Sequence, residues 1–143
     1  MGYCGYCAGQ ADKGPDPYVT NVEQLAVRNP NFRTAIWTGE HLQMTLMCIP
    51  PCGEIGLENH PETDQLIRIE QGMALVQMGK CRNQMDFQKN VSRGDAVFVP
   101  AGTWHNMSNT GRTVLRVSSV YAPPNHRRGT VHRTKAEAER EEY

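Results

Sequence analysis

No stretch of the chain approaches the ~20 consecutive apolar residues that a bilayer-spanning helix requires. Residues 1–10 lack the basic-then-apolar order of a secretory signal, and Tyr6 stands where an N-myristoylation pattern needs Ser or Thr. These absences lead to the expectation of a soluble, cytoplasmic protein with no membrane partner. A dominant charge is lacking too. Lys+Arg and Asp+Glu number 15 each, so the formal net charge is zero, and no general field draws the chain to nucleic acid or anionic lipid. The five cysteines are an odd number without a signal segment, which argues against a disulfide framework. Cys4 and Cys7 form a C-x-x-C in a Gly-rich leader. No second C-x-x-C completes a zinc site and no following helix lowers a thiol pKa, so a plain tail is preferred to a redox or metal role. Cys48 and Cys52 flank two prolines and read as strand-end residues.

What is present is one globular domain. Hydrophobic residues are 38% of the chain, and 13 glycines bring the apolar share near the globular norm. Residues 1–19 read as a flexible leader, with Thr20 or Asn21 able to cap a short helix over residues 22–27. β-rich runs follow at residues 32–38, 42–49, 66–70, 74–78, 96–99 and 113–121. Turn residues separate them: Gly39, Pro50, Pro51, Gly72, Gly79, Gly94, Pro100, Gly102 and Gly111. Short strands at that spacing, with no amphipathic helix between them, predict an all-β sandwich or barrel over residues 20–124. Beyond Pro123 and Pro124, residues 125–133 are polar and basic. Thr134 and Glu137 then have capping-box spacing for a short, charged C-terminal helix, polar all round and so expected to pack weakly.

Two stretches carry chemistry. In the first, residues 53–72, Glu58 and His60 are two apart and share one face of an extended strand. After a turn at residues 61–64, Gln65, Ile67 and Ile69 share the inner face of the next strand, while Asp64, Arg68 and Glu70 face outward. In the second stretch, residues 94–109, an apolar strand is reversed by Pro100 and Gly102, and His105 begins the return. If the two hairpins face each other, Glu58, His60, Gln65 and His105 gather as a four-ligand set. Asp64 is a rival to Gln65 for the fourth position.

Here the chain resembles the cupin superfamily. The second stretch fits the family motif G-x5-P-x-G-x2-H-x3-N through Gly94, Pro100, Gly102, His105 and Asn109. The first fits G-x5-H-x-H-x3–4-E-x6-G in part. Gly53, His60 and Gly72 hold the frame, but Glu58 stands at the first histidine position, one residue closer to Gly53, and Gln65 stands at the glutamate position. The likeness covers roughly residues 40–122, and is nearest to small single-domain bacterial cupins of the mannose-6-phosphate-isomerase-like group. It implies a single double-stranded β-helix, or jelly-roll, barrel with short N- and C-terminal helices. It also implies a homodimer and one divalent transition metal.

Two imidazoles, a carboxylate and an amide oxygen keep the ligand charge of the three-imidazole, one-carboxylate cupin set. A divalent ion therefore leaves the site cationic and attractive to an anionic ligand. The donors suit Fe, Mn, Ni, Co or Zn alike. Each residue also has a plain reading: a turn histidine for His105, a solvated strand end for Glu58, an orienting hydrogen-bond partner for Gln65. Met44, Met47, Met73 and Met78 are expected in the core. Trp104 is a candidate pocket wall, and Arg33, Arg68 and Tyr121 are candidates to reach a ligand. The basic stretch from His126 to Arg133 is read as a solvated tail rather than a flap over the site. The functional expectation is a metal-dependent enzyme, an oxygenase, isomerase or lyase, acting on a small organic acid or sugar derivative. The alternative is a non-catalytic small-molecule or sugar-binding module.

Overall fold

In the computed structural model, which describes residues 11–141, the apolar runs become strands and their punctuation becomes turns. The elements are α1 (Val22–Arg28), β1 (Arg33–Thr38), β2 (Gln43–Ile49), β3 (Asp64–Gln71), β4 (Met73–Gly79), β5 (Phe87–Ser92), β6 (Ala96–Val99), β7 (Trp104–Asn109), β8 (Leu115–Ala122), β9 (Val131–His132) and α2 (Lys135–Arg140). They build an antiparallel sheet in the order β6-β3-β8-β2-β1-β9 and a smaller one in the order β5-β4-β7. Hydrogen bonding does not close the two sheets into one continuous barrel. They face each other as a jelly roll, the two-sheet architecture expected from the sequence.

The inner faces supply the core. β4, β6 and β7 alternate buried and more open residues, the signature of strands with one face inward. Ile49, Ile67, Ile69, Leu115 and Val117 from the large sheet meet Val76, Met78 and Met107 from the small one. Each such side chain removed from water contributes on the order of 1.5–3 kcal/mol. Gly72 makes the β3–β4 turn at φ +99°, and a Cβ there would stand 3.0 Å from the Val114 carbonyl oxygen. Met47 and Met78 enter the core as expected, but Met73 is half exposed.

The outer face of the large sheet is covered by α1, whose Ala26 packs with Ile36 and Leu46. Asn21 caps this helix by accepting from the Gln24 amide. Arg116 donates to the carbonyls of Ala26 and Asn29 at its C-terminus, where cations are favoured. Glu70, expected outside, is buried on this covered face and accepts from Ser118 Oγ at 2.7 Å. Ile55 is buried in the core, whereas Leu57 is exposed.

The leader is held from residue 12 onward. Asp12 is buried, and its carboxylate accepts from Gly14 N, Thr38 Oγ1 and Gly129 N. Arg128 donates to the Asp12 and Gly14 carbonyls. A buried carboxylate is retained only where such donors satisfy it, so residues 12–14 and 128–129 are stitched together. Cys4 and Cys7 lie outside the described residues. No helix among the described residues is long and apolar enough to cross a membrane.

Candidate metal centre

The segment before β3 runs beside β7, not opposite it. Bridges join Glu54 to Ser108 and Glu58 to His105. Glu58 N donates to His105 O and His105 N to Glu58 O, both at 2.9 Å. A pair exchanging both bonds projects its side chains from one face. His60, two residues on, is anchored through its carbonyl, which accepts from Gly102 N at 2.9 Å. Asn59 Nδ2 donates back to the Gly102 carbonyl. The two motif stretches therefore converge as neighbouring, cross-linked segments rather than as facing hairpins.

The outcome is a compact triad. Glu58 Oε1 lies 3.3 Å from His60 Nε2 and 3.7 Å from His105 Nε2. One ligand atom from each residue falls within 4.8 Å of the others, a spacing suited to donors sharing an ion at ~2.0–2.2 Å. His105 Nδ1 lies 3.0 Å from the Thr103 carbonyl. That contact makes Nδ1 the protonated nitrogen and leaves the Nε2 lone pair facing the triad. The Nε2 atoms of both His60 and His105 are buried without a hydrogen-bond partner. Two orphaned imidazole nitrogens beside a carboxylate fit a divalent transition ion.

The electrostatics agree. Burial holds the pKa of His105 below its ordinary value, outweighing the Thr103 carbonyl and the Glu58 charge, so the imidazole is neutral, as a ligand must be. Burial opposes ionisation of Glu58. His60, the Arg33 guanidinium and His105 together overcome it and keep the carboxyl below the usual range. Arg33 is buried, with Nη2 3.6 Å from Glu58 Oε2 and Nη1 3.2 Å from His132 Nδ1. His132 Nε2 in turn meets Glu141 Oε1 at 2.9 Å. Because a guanidinium only donates, His132 Nδ1 accepts and Nε2–H donates to Glu141.

Gln65 is on β3, buried on the inner face as its parity requires. Its Nε2 donates to Ser119 Oγ at 3.4 Å and its Oε1 is buried without a partner. Asp64 is exposed, and its Oδ1 accepts from Ala101 N at 2.8 Å, fixing the turn that precedes β7. Arg68 points away, 60% exposed beside Glu70. Trp104 does line the cavity at the triad, which measures about 400 Å³.

The polar stretch after Pro124 is part of this site, against its reading as a solvated tail. Asn125, His126, Arg127, Thr130 and His132 all line the same cavity, as does Ala138 of α2. Their mixed polar sequence resembles that of any loop. What places them is the fully buried Gln43 and the β1–β9 pairing, neither of which has a local sequence signal. The His126 ring stands edge-on to Tyr121 at 5.1 Å, and Tyr121 stands edge-on to His60 at 5.7 Å.

Burial, reinforced by the Arg33 charge, pushes the pKa of His126 down to about 3. In the unfolded chain it titrates near 6.5. Between those values the unfolded state takes up a proton that the folded state refuses, so stability falls as pH falls from about 6.5. A single such group sets a slope of at most about 1.4 kcal/mol per pH unit. The expected result is that His126→Gln flattens this decline in the metal-free protein, measured as urea stability from pH 7.5 to 4.5. An unchanged slope contradicts the assignment.

A family model for the cupin domain matches residues 45–121. The YrkC protein of Bacillus subtilis (strain 168) is 54% identical over 127 residues, spanning 89% of this chain and 68% of that protein. Protein L612 of Acanthamoeba polyphaga mimivirus is 37% identical over 115 residues, spanning 80% and 70% respectively. Among solved structures, BH2720 from Bacillus halodurans superposes with a TM-score of 0.90 at 52% identity, covering 91% of this chain and 98% of that one.

Proposed function

This chain belongs to the cupin domain family, and from that premise we propose that it holds one divalent transition-metal ion. Glu58, His60 and His105 are its ligands and Gln65 Oε1 the candidate fourth donor. We propose further that the protein is a metal-dependent enzyme acting on a small organic acid or sugar derivative. The observation that carries the reading is the pair of buried, partnerless Nε2 atoms of His60 and His105 beside Glu58.

A divalent ion there supplies Lewis acidity, polarising an oxygen of the bound molecule. The chain's own residues do the rest. Arg33 holds the second carboxylate oxygen of Glu58 and so orients it. The Thr103 carbonyl fixes the tautomer of His105. The wall from Trp104 round to Ala138 encloses a volume suited to a small ligand. Two imidazoles and one carboxylate leave a bound divalent ion with a net positive charge, which favours an anionic ligand.

The test is elemental analysis of the full chain purified without an affinity tag. About one equivalent of a divalent transition metal is expected. Metal-free protein that neither takes up nor is stabilised by any such ion overturns the reading and favours a metal-independent binding module.

A further inference from the structure

We propose that His126 and Arg127 form a carboxylate-recognising corner of the cavity, so that the molecule bound there is a small acid carrying a second oxygen function turned toward Glu58, His60 and His105. The second half of this statement rests on the metal reading above; the corner itself does not.

The corner is built rather than incidental. Gln43 is 0% exposed and commits its amide to the backbone of residues 125 and 126. Its Oε1 accepts from Asn125 N at 3.1 Å and His126 N at 2.9 Å, and its Nε2 donates to His126 O at 2.9 Å. Tyr121 supports the His126 ring from the side. A loop pinned at both backbone groups of one residue presents that side chain without paying for its ordering on binding.

What it presents is unsatisfied. His126 Nε2 is buried with no hydrogen-bond partner, a state that needs a reason. Burial keeps the ring neutral, so in its Nε2–H form it offers one donor and no charge. Arg127 supplies the charge. It is exposed and lines the same cavity; its carbonyl accepts from Thr130 N and Oγ1, while its guanidinium makes no hydrogen bond or close ion pair among the described residues and feels only the Glu141 charge.

The carboxylates nearby are already occupied. Glu58 faces Arg33, His60 and His105, and Glu141, which feels the Arg127 charge, has its Oε1 on His132. A neutral N–H and a guanidinium that line one cavity are together matched by the two oxygens of a carboxylate. A hydroxyl can accept from both donors but carries no charge, so it gains less from the guanidinium.

The experiment uses the full-length protein, zinc-loaded and metal-stripped in parallel. Malate, lactate and glycerol are titrated calorimetrically: a hydroxy acid with a distal carboxylate, a hydroxy acid without one, and a neutral polyol. Malate is expected to bind about tenfold more tightly than lactate, with glycerol weakest. The malate advantage is expected to disappear in Arg127→Ala and His126→Phe while zinc stoichiometry is unchanged. Arg127 is exposed, so its replacement leaves folding intact and keeps the test valid even if His126→Phe misfolds.

Equal binding of malate and lactate, or an advantage that survives Arg127→Ala, overturns the corner. Stoichiometric zinc with no malate advantage removes the corner and spares the metal reading. Absence of zinc binding with the Arg127-dependent advantage intact does the reverse.

Discussion

His105→Ala is expected to take the protein from about one bound divalent ion to none. Outer partners of metal ligands typically change affinity by about 10–100-fold, and a ligand removed from a set of three or four should exceed that. The fold has no reason to follow. Glu58 and His105 exchange backbone hydrogen bonds, which alanine preserves, and β7 keeps its pairing with β4 along its length. The imidazole Nε2 is an unpaired buried atom in the metal-free protein, so its loss removes a penalty that partly offsets the lost packing and the lost Nδ1 bond to the Thr103 carbonyl. The checks are metal content by elemental analysis and the thermal midpoint of stripped protein. Retention of stoichiometric metal in His105→Ala overturns the ligand assignment.

Arg33→Met should be the most damaging single change for the metal-free protein. Arg33 is 3% exposed, and its guanidinium lies between Glu58 Oε2 and His132 Nδ1. Removing it leaves the Glu58 carboxylate buried with imidazoles alone. Breaking one half of a buried pair costs about 3–5 kcal/mol, which for a domain of this size is a fall of roughly 10 °C in Tm.

The pH dependence shifts as well. In the native protein Glu58 is held below its ordinary pKa, so its contribution is present above the unfolded value and is lost as pH falls through the folded one. Without Arg33, burial has less opposition and the carboxyl titrates higher. Excess zinc should return much of the lost stability by mass action, because the ion replaces the missing cation beside Glu58. A loss below about 1 kcal/mol in stripped protein, or a loss that zinc does not relieve, contradicts this account.

The sequence disclosed the strands with apolar inward faces, because β2, β3, β6 and β8 read as short runs between turn residues. It did not disclose β5. Phe87, Gln88, Lys89 and Asn90 are all exposed and show no inward set, so only pairing with β4 makes them a strand. β9 is two residues long and exists through β1. Glu58 and His60 were legible from side-chain parity, and His105 from the spacing of Pro100 and Gly102. Arg33 was one of three candidates to reach a ligand, with nothing in the sequence to tie it to Glu58, and His126 fell in a stretch read as a solvated tail. Arg33 sits in a strand 25 positions before Glu58, and His126 owes its position to Gln43. Buried polar contacts between distant residues carry no local pattern.

One consequence concerns how readily the centre can change its chemistry. The amide and carbonyl groups of residues 58 and 105 bind each other whatever side chains those residues carry. The rung is a socket and the donors are interchangeable pins. A carboxylate at position 58 can give way to an imidazole without the chain being rerouted, which makes this rung the natural place to retune metal preference by single substitution.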